Sequence, residues 1–261
     1  MAERIHRMLA ERNRDPLVIP YLTAGYPDPG ETLGLLLALE QGGADAIELG
    51  LPFSDPLADG PVIQATSKKA LDAGIDHGKI LTIAEAFRKR SQVPLVVMGY
   101  LNPILAYGAE RFFVDAVAAG VDGIIVPDLP PEEASPFHGP AVAAGLSWIF
   151  LAAPTSSAER LSRIDALSVD MSYCVAVTGV TGARKELSPD LTEYLERAEK
   201  AMEKPFVVGF GISNRAQINR VVPPAVGVVV GSALLRALAD EADAPGRRRR
   251  AEKFLRGLRS E

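Results

Sequence analysis

A regular alternation runs the length of this 261-residue chain. Short apolar runs of strand length are each followed by a longer stretch of helical period. The strand runs fall at residues 17–22, 46–49, 95–100, 123–126, 148–151, 171–175, 206–208 and 226–230. Helical patterns cover 31–41, 80–90, 111–119, 132–144, 158–166, 191–202, 214–221 and a last stretch from 233 onward. Residues suited to a helix start precede several of them: Asp28-Pro29, Thr155 to Ser157, Ser188-Pro189 and Ser213-Asn214. Eight βα units in a chain of this size point to a closed α/β barrel rather than an open sheet, that is, a (β/α)8 or TIM barrel. No linker, low-complexity segment or composition shift divides the chain, so one domain is expected over residues 1–261.

Composition removes several classes of function. With 48% apolar and 23% charged residues the chain reads as a soluble globular protein. Its net charge of -5 opposes broad nucleic-acid binding. The run Arg247 to Arg250 is a local exception. Phe254, Leu255 and Leu258 follow it at helical spacing, so the arginines read as the solvated face of an amphipathic terminal helix packed on the core. Cys174 is the only cysteine, which excludes an internal disulfide and suits a small buried hydrophobe. No apolar run reaches the roughly 18 residues of a membrane span, and a cytoplasmic protein is the expectation. His6, His77 and His138 are in no metal-ligand spacing, so no metal site is expected.

In such a barrel the loops after the strands form the active face. The period of two in Ala46-Ile47-Glu48-Leu49 turns Ile47 and Leu49 towards the helices and Glu48 into the barrel. A carboxylate in apolar surroundings has its pKa raised, which lets it carry a proton near neutral pH. Eleven residues on, in a loop with three prolines, Asp59 reads either as a cap or as a second carboxylate over the mouth with a different role. Tyr21, Tyr100, Tyr173 and Phe210 stand on or after strands one, three, six and seven and suit a planar substrate. Gly179 to Gly182, Gly209-Phe210-Gly211 and Gly231-Ser232 follow strands six, seven and eight, where backbone N–H groups and a helix start hold phosphate. None of the eight lysines falls on a strand end: Lys204 precedes strand seven and Lys185 lies in the loop after strand six. Carbon–carbon cleavage at this mouth would therefore use acid–base chemistry rather than a Schiff base.

Five segments, in order and spacing, resemble the tryptophan synthase alpha family over essentially the whole chain. They are Pro20 to Gly25, the run ELGLPFSDPLADGP from Glu48 to Pro61, Val126 to Pro130, Gly179 to Arg184, and Gly209 to Ser213. The resemblance implies retro-aldol cleavage of indole-3-glycerol phosphate to indole and glyceraldehyde 3-phosphate. It implies Glu48 as principal acid–base residue, Asp59 on the indole nitrogen, and Tyr21, Tyr100, Tyr173 and Phe210 around the substrate. Thr181 would lie beside Asp59 when its loop closes, and Gly182, Gly211, Gly231 and Ser232 would hold the phosphate. Pro52, Asp55 and Asp128 would face a beta subunit in an alpha2beta2 complex. The resemblance places pyridoxal phosphate in that partner and no cofactor in this chain. Where the family often carries a hydroxyl or basic residue before Gly179, this sequence has Ala176 and Val177. The alternatives are a stand-alone lyase releasing free indole and a regulatory subunit with little catalysis of its own. A phosphosugar isomerase or epimerase shares the fold but leaves the ELGLPFSDPLADGP loop unexplained.

Overall fold

The computed structural model describes residues 3–12, 15–176, 190–209 and 211–259. Its strands are β1 (Leu17–Thr23), β2 (Ile47–Gly50), β3 (Leu95–Met98), β4 (Gly123–Ile125), β5 (Ser147–Trp148), β6 (Leu151–Ala152), β7 (Ser172–Val175), β8 (Phe206–Gly209) and β9 (Gly227–Val230). All pair in parallel, in the order β5-β4-β3-β2-β1-β9-β8-β7-β6. The two ends of that order are consecutive in the chain. Ile149 N–H donates to Ile124 at 3.0 Å, and Tyr173 N–H donates to Phe150 at 3.0 Å. Residues 147–152 thus act as one stave, bonded first to β4 and then to β7, and close a barrel of eight staves. The run expected as a single strand at 148–151 is split because its halves serve different neighbours.

Around the strands lie α1 (Glu3–Glu11), α2 (Thr32–Gln41), α3 (Pro61–Asp72), α4 (His77–Arg88), α5 (Leu101–Tyr107), α6 (Ala109–Ala118), α7 (Ser135–Ala144), α8 (Ala158–Leu167), α9 (Asp190–Ala201), α10 (Arg215–Val221), α11 (Ser232–Ala239) and α12 (Ala244–Arg259). The expected starts hold at three places. Asp28 accepts from Gly30 N–H, Ser157 from Arg160 N–H, and Asn214 from Gln217 N–H. The fourth, Ser188-Pro189, lies outside the described residues.

Three helices were not expected from periodicity. In α1 only Ile5 is fully buried, but it reaches the floor of the barrel: a Cβ added at Gly123 would lie 3.1 Å from the Ile5 side chain. Gly123 opens β4, so α1 covers the N-terminal end, opposite the mouth. Arg4 pins it there through an ion pair to Asp122 at 2.9 Å. The other two, α3 and α5, start in loops dense in helix breakers; Pro61 takes the first-turn position where its missing N–H costs nothing. The stretch from 233 onward is two helices. On α12, Leu255 and Leu258 are buried as the amphipathic pattern requires. Arg248 and Arg249 are exposed, but Arg247 turns inward to Glu31 at 2.7 Å, so that arginine is not part of the expected solvated face.

Candidate active site

Glu48 occupies the second position of β2, with Tyr21 of β1 and Val96 of β3 as its register partners. Ile47 and Leu49 are fully buried, and Glu48 is 2% exposed. It makes no ion pair among the described residues. Removal from water, and then the nearby charge of Asp59, push its carboxyl up to about 8. At neutral pH Glu48 therefore holds its proton.

Asp59 is also buried, but in a different way. Its N–H donates to Pro56, its carbonyl accepts from the Gln64 amide at 2.9 Å, and Gly60-Pro61 follow as the start of α3. This bonding fixes the end of the loop. Burial raises the Asp59 carboxyl to about 6, and a hydrogen bond from Tyr100 opposes the rise. Tyr100 follows β3 at the start of α5; its oxygen accepts from Ala58 N–H at 3.0 Å, which leaves its proton for Asp59. Phe53 packs on the Tyr100 ring with centroids 5.3 Å apart. The second carboxylate of the sequence argument thus lies near the first and keeps its charge at neutral pH.

Tyr21 and Tyr173 stand inside the barrel for a steric reason that the sequence does not display. A Cβ at Gly50, the last residue of β2, would lie 2.0 Å from the Tyr21 hydroxyl; one at Gly209, the last residue of β8, would lie 1.8 Å from the Tyr173 hydroxyl. Both phenols need a glycine at the neighbouring strand end. Burial first, then the charges of Asp59 and Glu48, keep both phenols protonated. Sequence reasoning singled out the tyrosines but missed Gly50, because only strand register brings the pair together.

At the far side of the mouth, Gly211 has φ +87°, a conformation that L side chains rarely adopt. Gly231 precedes α11, whose first-turn N–H groups, Ser232 included, have no partner within the helix. A Cβ at Gly231 would lie 3.2 Å from the Tyr21 Cβ, so this turn and the tyrosine share one wall. Thr181, Gly182 and Phe210 lie outside the described residues, as do Gly179 and Lys185. Lys204 is far from the mouth, donating to the Asp165 carbonyl at 2.6 Å. Among the described residues no group of three or more His, Cys, Asp or Glu could hold a metal ion.

Of the three residues expected to face a partner, Asp55 and Asp128 are exposed and Pro52 is buried. Asp128 accepts from Leu101 N–H at 3.0 Å and caps α5. Between Asp55 and Asp59, Leu57 is 89% exposed, an apolar side chain that sequence reading passed over.

These features define a (β/α)8 barrel with two buried carboxylates in unlike surroundings at the C-terminal mouth of its strands. A family model described as tryptophan synthase alpha chain matches residues 7–259, and the chain belongs to that family. Tryptophan synthase alpha chain of Geotalea uraniireducens is 47% identical over 252 residues, covering 97% of this chain and 94% of the relative. That of Prosthecochloris aestuarii is 44% identical over 98% of each chain. Among solved structures, tryptophan synthase subunit alpha from Legionella pneumophila aligns with TM-score 0.89 at 37% identity, covering 98% of this chain and 97% of the other. A chain of the tryptophan synthase complex from Pyrococcus furiosus aligns with TM-score 0.85 at 39% identity, over 92% and 96%.

Proposed function

We propose that this chain is the alpha subunit of a tryptophan synthase, a carbon–carbon lyase that cleaves indole-3-glycerol phosphate to indole and glyceraldehyde 3-phosphate. The observation that carries the reading is the split between the two carboxyl groups, Glu48 at about 8 and Asp59 at about 6. Between those values Glu48 is an acid and Asp59 an anion. Glu48 protonates C3 of the indole ring, and the positive charge that develops on the ring nitrogen is stabilised by Asp59. The Glu48 carboxylate then removes the proton of the glycerol hydroxyl next to the ring; the carbon–carbon bond breaks, its electron pair returns to the ring, and the aldehyde leaves. Tyr21, Tyr100 and Tyr173, with Phe210, bracket the planar ring. Gly211, Gly231 and Ser232, with Gly182, offer backbone N–H groups to the phosphate.

The same reading assigns Asp55 and Asp128, with Pro52 buried behind the first, to a surface for a beta subunit in an alpha2beta2 assembly, and pyridoxal phosphate to that partner. Leu57, exposed beside Asp55, supports a docking surface at this loop. The proposed location is the cytoplasm; no helix among the described residues is long and apolar enough to cross a membrane. The test is an assay of indole and glyceraldehyde phosphate release from indole-glycerol phosphate by the purified chain, alone and with a beta subunit. Release that the partner stimulates is expected; no release under either condition would overturn the proposal.

A further inference from the structure

Helix α5 starts without a cap of its own. The residue at its N-cap position is Tyr100, which makes no side-chain cap bond, where serine, threonine, aspartate or asparagine usually stands. The Tyr100 oxygen is engaged elsewhere and accepts from Ala58 N–H at 3.0 Å. The cap comes instead from Asp128, 27 residues beyond Leu101 in the loop after β4: Leu101 N–H donates to its Oδ1 at 3.0 Å and lies 3.3 Å from its Oδ2. A carboxylate also suits the positive end of a helix. On the other side of Tyr100, Gly99 N–H donates to the Ile125 carbonyl at 3.0 Å. The residues before and after Tyr100 are therefore both tied to β4 and its loop, which fixes the backbone from which the phenol projects.

That phenol holds the end of the loop before α3. Leu57 N–H bonds to the Asp55 carbonyl and Asp59 N–H to that of Pro56, both within the loop; of these three consecutive N–H groups, that of Ala58 is the one that reaches another element. Ala58 directly precedes Asp59. We propose that Asp128 is a positioning residue: by capping α5 it holds Tyr100 so that the phenol oxygen meets Ala58 N–H, and the backbone that carries Asp59 is thereby fixed from β4 as well as by its own loop. Asp128 is exposed and belongs to the proposed partner surface, yet it acts inside the chain, on the anion of the acid–base pair, through Leu101, Tyr100 and Ala58 in turn. The arrangement also explains why a tyrosine is tolerated at the N-cap position. The capping acceptor is supplied from the neighbouring βα unit, which leaves the phenol free for the loop.

This inference rests on the reading of Asp59 as the anion of the site, but its first readout does not require cleavage. Exchange of the Ala58 amide proton is followed by 1H–15N NMR in the full chain, with Tyr100→Phe marking the loss of the phenol. Asp128→Ala should speed that exchange about 2- to 10-fold, the worth of one hydrogen bond. Asp128→Asn keeps an oxygen that accepts from Leu101 N–H and should restore most of the protection. In a Tyr100→Phe background Asp128→Ala should add nothing at Ala58. In cleavage, Asp128→Ala should lower kcat and leave KM near that of the parent, because the charge that Asp59 meets develops in the transition state. If Asp128→Ala does not fold, Asp128→Leu, close in size and without an acceptor, removes the same bond. Unchanged exchange at Ala58 on loss of the Asp128 carboxylate overturns the proposal, as does an equal increase in the Tyr100→Phe background, which would mean that Asp128 steadies the barrel as a whole. Faster Ala58 exchange in a chain that cleaves no indole-glycerol phosphate would refute the lyase and leave the hold of Asp128 on Tyr100 standing.

Discussion

Glu48 and Asp59 are the same chemical group in two settings, and the difference predicts a pH profile. The proposed mechanism needs Asp59 ionised, a form lost as pH falls through about 6, and Glu48 protonated, a form lost as pH rises through about 8. Cleavage should therefore peak between these values and fall on both sides, as kcat/KM measured against pH will show. Rates that keep rising well above the upper value would contradict the assignment of Glu48 as the acid. A second prediction concerns Gly50. Gly50→Ala puts a methyl group 2.0 Å from the Tyr21 hydroxyl, so the phenol or the strand must move. The expected cost is about 1 to 3 kcal/mol in urea unfolding together with a clear loss of cleavage; unaltered stability and rate would show that the contact yields freely. Glu48 was legible in sequence because strand period alone turns it inward. Gly50 was not, since the residue that forbids a side chain there is 29 positions away on another strand.

Elements were legible where burial is periodic and hidden where tertiary contacts supply the stability. The strand runs at 17–22 and 206–208 match β1 and β8 to within a residue because fully buried parallel strands read as unbroken apolar runs. By contrast α1 offers one fully buried side chain, Ile5, and is held by Arg4 on Asp122, a partner 118 residues distant. Asp122 also anchors α4: Arg88 donates to its carboxylate at 2.9 Å and to the carbonyls of Gly120, Ser91 and Val93. Arg88 is 11% and Asp122 3% exposed, whereas Arg4 is 29% exposed. Arg88→Leu should thus cost about 3 to 5 kcal/mol, by stripping a buried carboxylate of its better partner, and Arg4→Ala much less. Urea unfolding of both variants checks the order; equal losses would show that the two arginines carry Asp122 alike.

At the scale of the whole molecule, the barrel puts the proposed catalytic Asp59 and the proposed partner surface on a single loop. Asp59 ends that loop inside the mouth, while Asp55 and Leu57 point outward. A partner seated on the outer side can therefore bias Asp59, and a coupling of the usual 1 to 3 kcal/mol changes activity by roughly 5- to 150-fold where loop closure limits the rate. Leu57→Asp should remove most of the partner's stimulation and leave the rate of the isolated chain within a few-fold; equal loss in both would mean that the loop itself was damaged. The loop at 178–188, expected to close over the same mouth, lies outside the described residues. The central claim is that Glu48 moves the proton. Its most direct test is single-turnover cleavage of indole-glycerol phosphate by Glu48→Gln, with substrate binding measured alongside. A loss of about 10²- to 10⁴-fold in rate with binding largely kept is the predicted result, and cleavage within a few-fold of the parent would contradict it.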